Sequence, residues 1–480
     1  MSKHPNHAYW PVILCLLSLL PVSSHALHSH TQIPDSVYDL MNRYKIPRDS
    51  LSLYIVDLDH DHPIVEINVD KPRHPASTIK LLTTYAALEL LSPNYTWETR
   101  FYIDGKLKDG VLEGNLVLQG GGDPFLTREK FWHMLHTLRA RGIKHISGDL
   151  IIDDSLFENE QGSPGDFDNH PYSVYNTFPY AALVNFQAQQ FVVLPQDNHV
   201  LVYADPPADN LEIRNNLKLV SGRCYQAGTG IDMRVTHNDS QVVATFSGKY
   251  PAACGERELL RSIIPNDQYV YGVFKSLWKE MGGSIDGTFR TGTTGLPDKP
   301  FYLEVSNPLS DIIISINKHS NNVMARQLLL TIGQIKKGTP GSKSSGIETI
   351  REWLDSINIH APELVLDNGS GLSRKTQISA RNLGKLLEHA WRSPLRAEFM
   401  SSLPIAGLDG TMRKRLRKDV PVGNLRIKTG LLRSVRSMAG YVRSENGRQY
   451  LVVSMQNYPG IQNTTGTLIQ DELLKWLYKQ

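Results

Sequence analysis

A serine and a lysine stand three positions apart at the start of one strongly apolar stretch, HPASTIKLLTTYAAL, which covers residues 74–88. On a helix, this spacing puts the side chains of Ser77 and Lys80 on the same face. A lysine among so many apolar residues is costly unless its amine is stabilised or used. A serine hydroxyl needs a base to take its proton, and a neutral lysine can be that base where burial and nearby positive charge disfavour its ammonium form. The pair therefore predicts a serine nucleophile with a lysine base.

The S-x-x-K pattern is weak evidence by itself, because the chain contains it three times. The copy at Ser276–Lys279 falls inside an amphipathic helical pattern, where a lysine near the C-terminal end suits the helix dipole. The copy at Ser315–Lys318 falls late in a helical run, and we expect its lysine to reach solvent. Only the copy at Ser77 opens a helix, where unpaired backbone N–H groups can stabilise negative charge on a substrate oxygen.

Two further motifs supply what a lysine base requires, which is a second cation and a proton relay. Ser320-Asn321-Asn322 stands at another predicted helix start, and Lys428-Thr429-Gly430 lies on a predicted strand, NLRIKTG. A serine nucleophile followed by S-x-N and K-T-G is the motif set of penicilloyl-serine enzymes, with S-N-N here in place of S-D-N. Partial copies at Ser315–Asn317 and Arg290–Gly292 do not complete the set. The three motifs together predict one active site.

Strand patterns near both ends of the chain are expected to hold these motifs in place. The N-terminal part contains two, SLYIVDL and IVEINV, and the C-terminal part contains three, NLRIKTG, SMAGYVR and YLVVSM. An amphipathic helix at about Thr464–Tyr478 closes the chain. We interpret the two parts as halves of one α/β (α+β) sandwich, an antiparallel sheet covered by helices.

The long region between the first two motifs has a different pattern. Residues 94–295 contain many short strand patterns, separated roughly every eight to twelve residues by glycine, proline, asparagine or aspartate. Helical patterns occur near Arg128–Arg141 and Asp267–Met281. We predict a catalytic domain formed by residues 27–93 and 296–480, with residues 94–295 inserted as a β-rich region of two subdomains.

Residues 1–26 have the pattern of a cleaved signal peptide. Lys3 precedes an apolar stretch over residues 10–22, and the small residues Ser24 and Ala26 stand where a signal peptidase would read them. The apolar stretch is short for a membrane span of about 20 residues, although an uncleaved anchor is the alternative. A net charge of +3 and the lack of a long Lys/Arg run with interleaved aromatic residues give no support to nucleic-acid binding.

Two cysteines, Cys224 and Cys254, remain after removal of residues 1–26. An even number of cysteines in an oxidising compartment favours a structural disulfide. Closing a loop of this length would stabilise the fold by about 3–4 kcal/mol. Two free thiols are the alternative, and a catalytic thiol is not expected because the sequence around neither cysteine indicates a lowered pKa.

Histidine-rich and glycine-rich stretches do not point to a metal or a cofactor. His60-Asp61-His62 lies in a predicted hairpin turn and His28-Ser29-His30 lies just beyond the expected cleavage point, without H-E-x-x-H or a third ligand. The stretch GGGDP at 120–124 lacks the G-x-G-x-x-G spacing of a nucleotide site. We expect no metal and no cofactor.

The three motifs also carry a family resemblance. With PASTIK at 75–80, HSNNVMA at 319–325 and RIKTG at 426–430, the chain resembles the penicillin-binding D-alanyl-D-alanine carboxypeptidases/endopeptidases of the class C, low-molecular-mass type, the S13 peptidase family. The stretches GGGDP, GDLIIDDSLF, DNGSGLSR and LPIAGLDGTM agree with it. The resemblance implies a penicillin-binding transpeptidase-like or β-lactamase-like fold. The 239 residues between Lys80 and Ser320 fit this family and are too many for a class A β-lactamase.

The resemblance implies a catalytic role for four residues. Ser77 would attack the carbonyl between two D-alanines and form an acyl-enzyme, with Lys80 as the general base. Ser320 would relay the proton to the leaving amine, and Asn322 would orient the substrate amide and Lys80. Water would then hydrolyse the acyl-enzyme.

Substrate binding would fall to Lys428, Thr429, Gly430 and Leu431. Lys428 and Thr429 would bind the terminal carboxylate, and the backbone N–H groups of Ser77 and Leu431 would form the oxyanion hole. The family often has Thr or Ser after K-T-G, and this chain has Leu431. We expect weaker recognition of a free D-alanine terminus and a relative preference for cleaving cross-links.

The expected partners follow from the same resemblance. They are peptidoglycan stem peptides as substrates and β-lactams as acylating inhibitors, in the periplasm, with at most a loose membrane association. Two other functions stay open at this point: a non-catalytic penicillin-binding scaffold or sensor, and a β-lactamase-like hydrolase. Retention of both Ser77 and Lys80 argues against the scaffold.

Overall fold

The computed structural model describes Met1 and residues 33–224, 230–238, 241–293, 295 and 297–480. Apart from Met1, the predicted signal peptide at 1–26 lies outside these described residues, as does the His28-Ser29-His30 stretch. Of the helices in the described ranges, none combines the length and the apolar character needed to cross a membrane.

The described part of the chain contains ten α-helices. They are α1 (Asp35–Arg43), α2 (Lys80–Leu91), α3 (Arg128–Ala140), α4 (Asn266–Glu280), α5 (Leu309–His319), α6 (Asn322–Lys337), α7 (Lys343–Ser356), α8 (Ala380–Arg392), α9 (Arg396–Ser401) and α10 (Thr464–Tyr478). The three helices expected at 128–141, 267–281 and 464–478 occur as α3, α4 and α10, with bounds that agree within one residue.

The same ranges contain eighteen strands. They are β1 (Leu51–Asp57), β2 (His62–Ile67), β3 (Glu98–Lys108), β4 (Val111–Gln119), β5 (His145–Ile146), β6 (Leu150–Asp153), β7 (Gln189–Pro195), β8 (Val200–Asp205), β9 (Leu211–Val220), β10 (Asp232–His237), β11 (Val242–Pro251), β12 (Arg257–Arg261), β13 (Ser284–Ile285), β14 (Phe289–Thr291), β15 (Tyr302–Val305), β16 (Leu425–Leu432), β17 (Val435–Arg443) and β18 (Gln449–Asn457).

The two ends of the chain meet in one five-stranded antiparallel sheet, in the order β16-β17-β18-β1-β2. β1 pairs with β18 from Leu51 opposite Gln456 to Asp57 opposite Tyr450. The five strand patterns at the two ends of the sequence therefore form one sheet, which confirms the predicted sandwich of an antiparallel sheet and helices.

Helices cover both faces of this sheet. Along β1, side chains alternate between the faces: Tyr54 and Val56 belong to a hydrophobic cluster with α2, α5, α6 and α8, whereas Leu53 and Ile55 belong to a second cluster with α1 and α10. All seven residues of β1 are buried, because neither face of the strand meets solvent. The sheet is therefore the middle layer of three, and its β16 edge carries the K-T-G motif.

The residues between β3 and β15 form three further sheets around a separate hydrophobic cluster. One sheet has seven strands, built from β3–β6 and β13–β15, and the other two have three strands each, in the orders β10-β11-β9 and β12-β7-β8. The cluster includes Phe101, Phe191 and Trp278, and takes in side chains of α3 and α4. Cys224 and Cys254 are joined in a disulfide bond, as predicted.

Candidate active site

The S-x-x-K motif lies on a tight turn that leads into α2. Residues Ala76–Ile79 form a 3-10 turn, and α2 begins directly afterwards at Lys80. Ala76 has a positive φ of 46°, and its N–H donates to Nδ1 of His74 at 2.9 Å. The other ring nitrogen of His74 lies 2.7 Å from the carbonyl oxygen of Ser373, so this ring is held with its proton on Nε2. His74 therefore fixes the turn that presents Ser77.

Lys80 is fully buried in the first turn of α2. Its Nζ lies 3.1 Å from Ser77 Oγ, 2.7 Å from Asn322 Oδ1 and 2.5 Å from the backbone carbonyl oxygen of Ser370. A neutral amine has two hydrogens and one lone pair. The amide and carbonyl oxygens can only accept, so they take the two hydrogens and leave the lone pair facing the Ser77 hydroxyl.

The pKa of Lys80 lies well below its ordinary value. The largest cause is burial, which disfavours the ammonium form, and the nearby cations Lys428 and Arg326 add to it. The neutral amine, which is the form a general base requires, is therefore available nearer to neutral pH than in an exposed lysine.

The S-x-N motif occupies the junction between α5 and α6. Ser320 has a left-handed backbone conformation with φ 57°, and the side chain of Asn321 accepts a hydrogen bond from the Met324 N–H as the cap of α6. This geometry turns Ser320 Oγ towards Lys428 Nζ, 2.9 Å away, and places Asn322 against Lys80. The expected helix start is confirmed, and both polar side chains point into the site.

The K-T-G motif lies on β16, at the edge of the sheet next to the Ser77 turn. Lys428 is fully buried, and burial lowers its pKa to about 7. The Thr429 hydroxyl lies 2.8 Å from the hydroxyl of Thr411, in the 3-10 turn Gly410–Met412. Leu431 is exposed, with 52% of its surface accessible.

Gly430 is required by the close approach of β16 to the Ser77 turn. A Cβ at this position would lie 2.7 Å from the carbonyl oxygen of Pro75 and 2.9 Å from the backbone nitrogen of Ser77. These distances are shorter than a carbon atom can occupy, so only glycine lets the strand and the turn pack together. The three motifs thus meet in one place.

The partial motifs have structural positions elsewhere. Lys279 of the second S-x-x-K lies in α4 and forms an ion pair with Asp209 at 2.5 Å. The expectation that Lys318 of the third reaches solvent was wrong: its side chain is only 16% exposed, because it forms an ion pair with Asp409. Asn317 is buried and donates to Ser402 Oγ at 2.9 Å, as part of the core.

Sequence reasoning missed the contribution of the DNGSGLSR loop. Its Ser370 supplies the carbonyl oxygen that accepts from Lys80, and the Asn368 side chain accepts from the backbone N–H of Ser370 at 3.1 Å. Gly371 has φ 79°, and a Cβ there would lie 2.1 Å from the carbonyl oxygen of Ala76. The two glycines on either side of Ser370 indicate a tight turn of the backbone. They do not indicate that the carbonyl oxygen of Ser370 contacts Lys80.

Sequence reasoning also missed a contact from the inserted region. The Asn322 amide nitrogen lies 3.4 Å from the carbonyl oxygen of Tyr175, and Arg326, one helical turn further along α6, donates to the carbonyl oxygen of Thr177 at 3.1 Å. Arg326 is almost fully buried. Residues 175–177 of the inserted region therefore contact α6 next to the site.

No group of three or more histidine, cysteine, aspartate or glutamate side chains suited to a metal ion occurs among the described residues. His60, in the hairpin turn between β1 and β2, has its Nδ1 2.9 Å from a carboxylate oxygen of Asp57. The histidine of this turn is thus paired with Asp57. The side-chain groups around Ser77 are the amine of Lys80 and the amide of Asn322.

Comparisons with known proteins identify the family of this chain. The family model Peptidase_S13, described as the D-Ala-D-Ala carboxypeptidase 3 (S13) family, matches residues 35–480. D-alanyl-D-alanine carboxypeptidase DacB of Haemophilus influenzae is 27% identical over 430 residues, which are 86% of this chain and 86% of that protein.

Two crystal structures of penicillin-binding protein 4 (dacB) from Haemophilus influenzae have the same fold. One covers 92% of this chain and 99% of its own, with a TM-score of 0.78 at 23% identity. The other, complexed with a novel β-lactam, covers 93% of this chain and 100% of its own, with a TM-score of 0.73 at 23% identity. Since the family model spans nearly all described residues, the chain belongs to the D-Ala-D-Ala carboxypeptidase 3 (S13) peptidase family.

Proposed function

We propose that this chain is a serine DD-peptidase that hydrolyses D-alanyl-D-alanine ends and D-alanyl cross-links of peptidoglycan stem peptides through an acyl-enzyme on Ser77. One observation carries the proposal: a fully buried lysine with a lowered pKa lies 3.1 Å from the hydroxyl of a serine at a helix start. The S13 relatives that are named D-alanyl-D-alanine carboxypeptidases support the substrate class.

In the acylation step, Ser77 Oγ bonds to the carbonyl carbon of the penultimate D-alanine while Lys80 accepts the hydroxyl proton. The proton then passes to the leaving amine through Ser320, whose Oγ is held by Lys428 at 2.9 Å. Asn322 orients both Lys80 and the substrate amide. Water attacks the acyl-enzyme in the second step and releases Ser77. Neither step requires a cofactor.

The negative charge that develops on the carbonyl oxygen needs donors at the transition state. The backbone N–H groups of Ser77 and Leu431 are the proposed pair, because Gly430 brings β16 against the Ser77 turn. We propose that Lys428 and Thr429 bind the terminal carboxylate of the substrate. Leu431 has no hydroxyl to add, so we propose a relative preference for cross-links over free D-alanine ends.

The domain organisation and the location of the protein belong to the same proposal. Residues 27–93 and 296–480 would form the catalytic domain and residues 94–295 the inserted β-rich region. The separate hydrophobic cluster between β3 and β15 supports an inserted region, and β15 (Tyr302–Val305), which pairs with β3, extends it beyond the proposed boundary. The disulfide between Cys224 and Cys254 fits an oxidising compartment. We propose a periplasmic protein, exported by a cleaved signal peptide and at most loosely associated with the membrane.

Labelling with a fluorescent penicillin tests the nucleophile. We expect the wild type to be labelled covalently and Ser77→Ala to be unlabelled. Ser276→Ala is the matched control, since it removes the serine of another S-x-x-K motif without touching the site. Labelling of Ser77→Ala at the wild-type rate would reject Ser77 as the nucleophile.

Product analysis separates the peptidase from the remaining alternatives. Purified cross-linked muropeptides are incubated with the wild type, and the products are identified by mass spectrometry. A peptidase releases D-alanine or cleaves cross-links, whereas a scaffold is labelled by penicillin but releases nothing. A β-lactamase-like hydrolase would turn over penicillin rapidly and leave muropeptides intact.

A further inference from the structure

Four exposed basic side chains follow the Gly410–Met412 turn beside the active site. They are Arg413, Lys414, Arg417 and Lys418, and we call this group the basic rim. The ion pairs formed among the described residues, at up to 4.0 Å, include none of the four. The basic rim is therefore a set of cations that face solvent without a carboxylate partner in the described chain.

The positive charge is concentrated in this segment of the sequence. Residues 405–436 contain nine lysines and arginines but only two acidic residues, Asp409 and Asp419, while the whole chain has a net charge of only +3. Asp409 is already paired with Lys318. The local excess of positive charge is thus larger than that of the whole protein.

The segment that carries the basic rim is fixed to the body of the catalytic domain. Met412, Leu416 and Val420 are buried in the hydrophobic cluster that includes α1 and α10. Their spacing of four residues holds one side of the segment in the core. The four rim cations are exposed, whereas Arg415 between them is paired with Asp471. A Cβ at Gly410 would lie 2.6 Å from the carbonyl oxygen of Lys318, so the start of the segment packs directly on α5.

The basic rim also adjoins the proposed substrate site. The hydroxyl of Thr411, two residues before Arg413, lies 2.8 Å from that of Thr429 in the K-T-G motif. A substrate that reaches Thr429 must therefore pass close to these cations. Four charges on one fixed surface create a positive potential at the mouth of the site.

We propose that the basic rim docks the carboxylate-bearing peptidoglycan polymer, so that one stem peptide enters the site while carboxylates of neighbouring stem peptides contact the rim. This inference rests on the proposed function, since the polymer is the proposed substrate. One exposed ion pair contributes little free energy. Several such contacts to one polymer act together, and salt weakens all of them.

An anionic bilayer would also attract the basic rim, and the exposed Leu408 and Leu431 lie near it. A bilayer seated on this surface would, however, cover the mouth of the site that the substrate has to enter. The polymer is therefore the occupant that the position of the rim favours, and binding to vesicles becomes an outcome of the test.

The test neutralises the rim in the full chain with the four changes Arg413→Gln, Lys414→Gln, Arg417→Gln and Lys418→Gln. The matched control carries Lys106→Gln, Lys108→Gln, Lys218→Gln and Lys249→Gln, which remove four exposed charges from the inserted region. Binding is measured by co-sedimentation with purified sacculi at low and high salt, and with phosphatidylglycerol vesicles. Fluorescent-penicillin labelling reports on Ser77 in each variant.

We expect the rim variant to bind sacculi about tenfold more weakly than the wild type at low salt, with most of the difference lost at high salt. The control should bind like the wild type, and all three proteins should be labelled by penicillin within about twofold. Equal binding of sacculi by the rim variant and the control would overturn the proposal. So would tighter binding of the wild type to vesicles than to sacculi. A wild type that penicillin does not label would instead reject the proposed function.

Discussion

Lys80 Nζ lies 2.5 Å from the backbone carbonyl oxygen of Ser370, a residue 290 positions away in the sequence. Together with the Asn322 side chain, this carbonyl occupies both hydrogens of the neutral amine. The lone pair is then directed to the Ser77 hydroxyl. The orientation of the base is therefore set by a backbone atom that no substitution of a side chain removes.

The alkaline limb of the pH profile should report on Lys428. Its pKa is lowered to about 7 by burial, and it must be cationic to bind a carboxylate. As pH rises through this pKa the ammonium loses its proton, so kcat/KM for a peptide with a free D-alanine end should fall at a pH well below the 10.5 of an ordinary lysine. Lys428→Arg keeps a cation that loses its proton only at higher pH, so we expect the alkaline limb of this variant at higher pH. An unchanged limb in this variant would assign it to another group.

The acid limb of the same profile should respond to Arg326. Its charge helps to lower the pKa of Lys80, so Arg326→Met should raise that pKa. As the pH falls, Lys80 is then protonated at a higher pH than in the wild type. The acid limb of the acylation rate should therefore move to higher pH. Arg326→Lys is the control that keeps the charge. If both variants lose rate equally without a shift of the limb, Arg326 acts only by holding Thr177.

Gly430→Ala should inactivate the enzyme while leaving it folded. The new methyl group would push β16 away from Ser77 and Pro75. We expect acylation by penicillin to slow by about 100-fold, the effect of a displacement of roughly 1 Å in an active site. Gly295→Ala is the control, because a Cβ there meets no other part of the described chain within 4 Å. Near-normal acylation by Gly430→Ala would mean that the strand can shift without affecting the oxyanion hole.

Leu431→Thr should change the balance between the two peptidase reactions. A hydroxyl next to Thr429 would add a contact to a terminal carboxylate, which a free D-alanine end presents to the site. We expect the ratio of D-alanine release to cross-link cleavage to rise about threefold to tenfold, as for one added hydrogen bond of about 1 kcal/mol at an exposed position. The control is Leu408→Thr, another exposed leucine near the site. An unchanged ratio in Leu431→Thr would reject the role of this position.

Removal of the disulfide should affect stability and leave the chemistry intact. Replacement of Cys224 and Cys254 by serine releases a constraint within the inserted region. We expect the free energy of unfolding of that region to fall by about 3–4 kcal/mol. Thermal unfolding measures this loss, and penicillin acylation at 25 °C should keep its wild-type rate. A loss of acylation in the folded variant would contradict the prediction that the disulfide affects stability alone.

Local patterns were enough to predict much of the site. The spacing of Ser77 and Lys80, the helix start at Ser320-Asn321-Asn322 and the strand that carries Lys428 are all properties of short segments. Short runs of apolar residues likewise predicted the strands of the central sheet, because both faces of such a strand pack against layers of helices. These features depend on residues close together in the chain, and sequence spacing describes them directly.

Contacts between distant segments required the tertiary structure. Nothing near Ser370 in the sequence indicates that its carbonyl oxygen meets Lys80, and nothing near Tyr175 indicates that the inserted region contacts Asn322. The same holds for Lys318, which forms an ion pair with Asp409, 91 positions away. The sequence by itself determined the types and the local spacing of the groups in the candidate site. The tertiary structure decided how Lys80 is oriented and which segments surround the site. Contacts of backbone carbonyls and ion pairs between distant residues leave no local pattern in the sequence, so they could not be predicted from it.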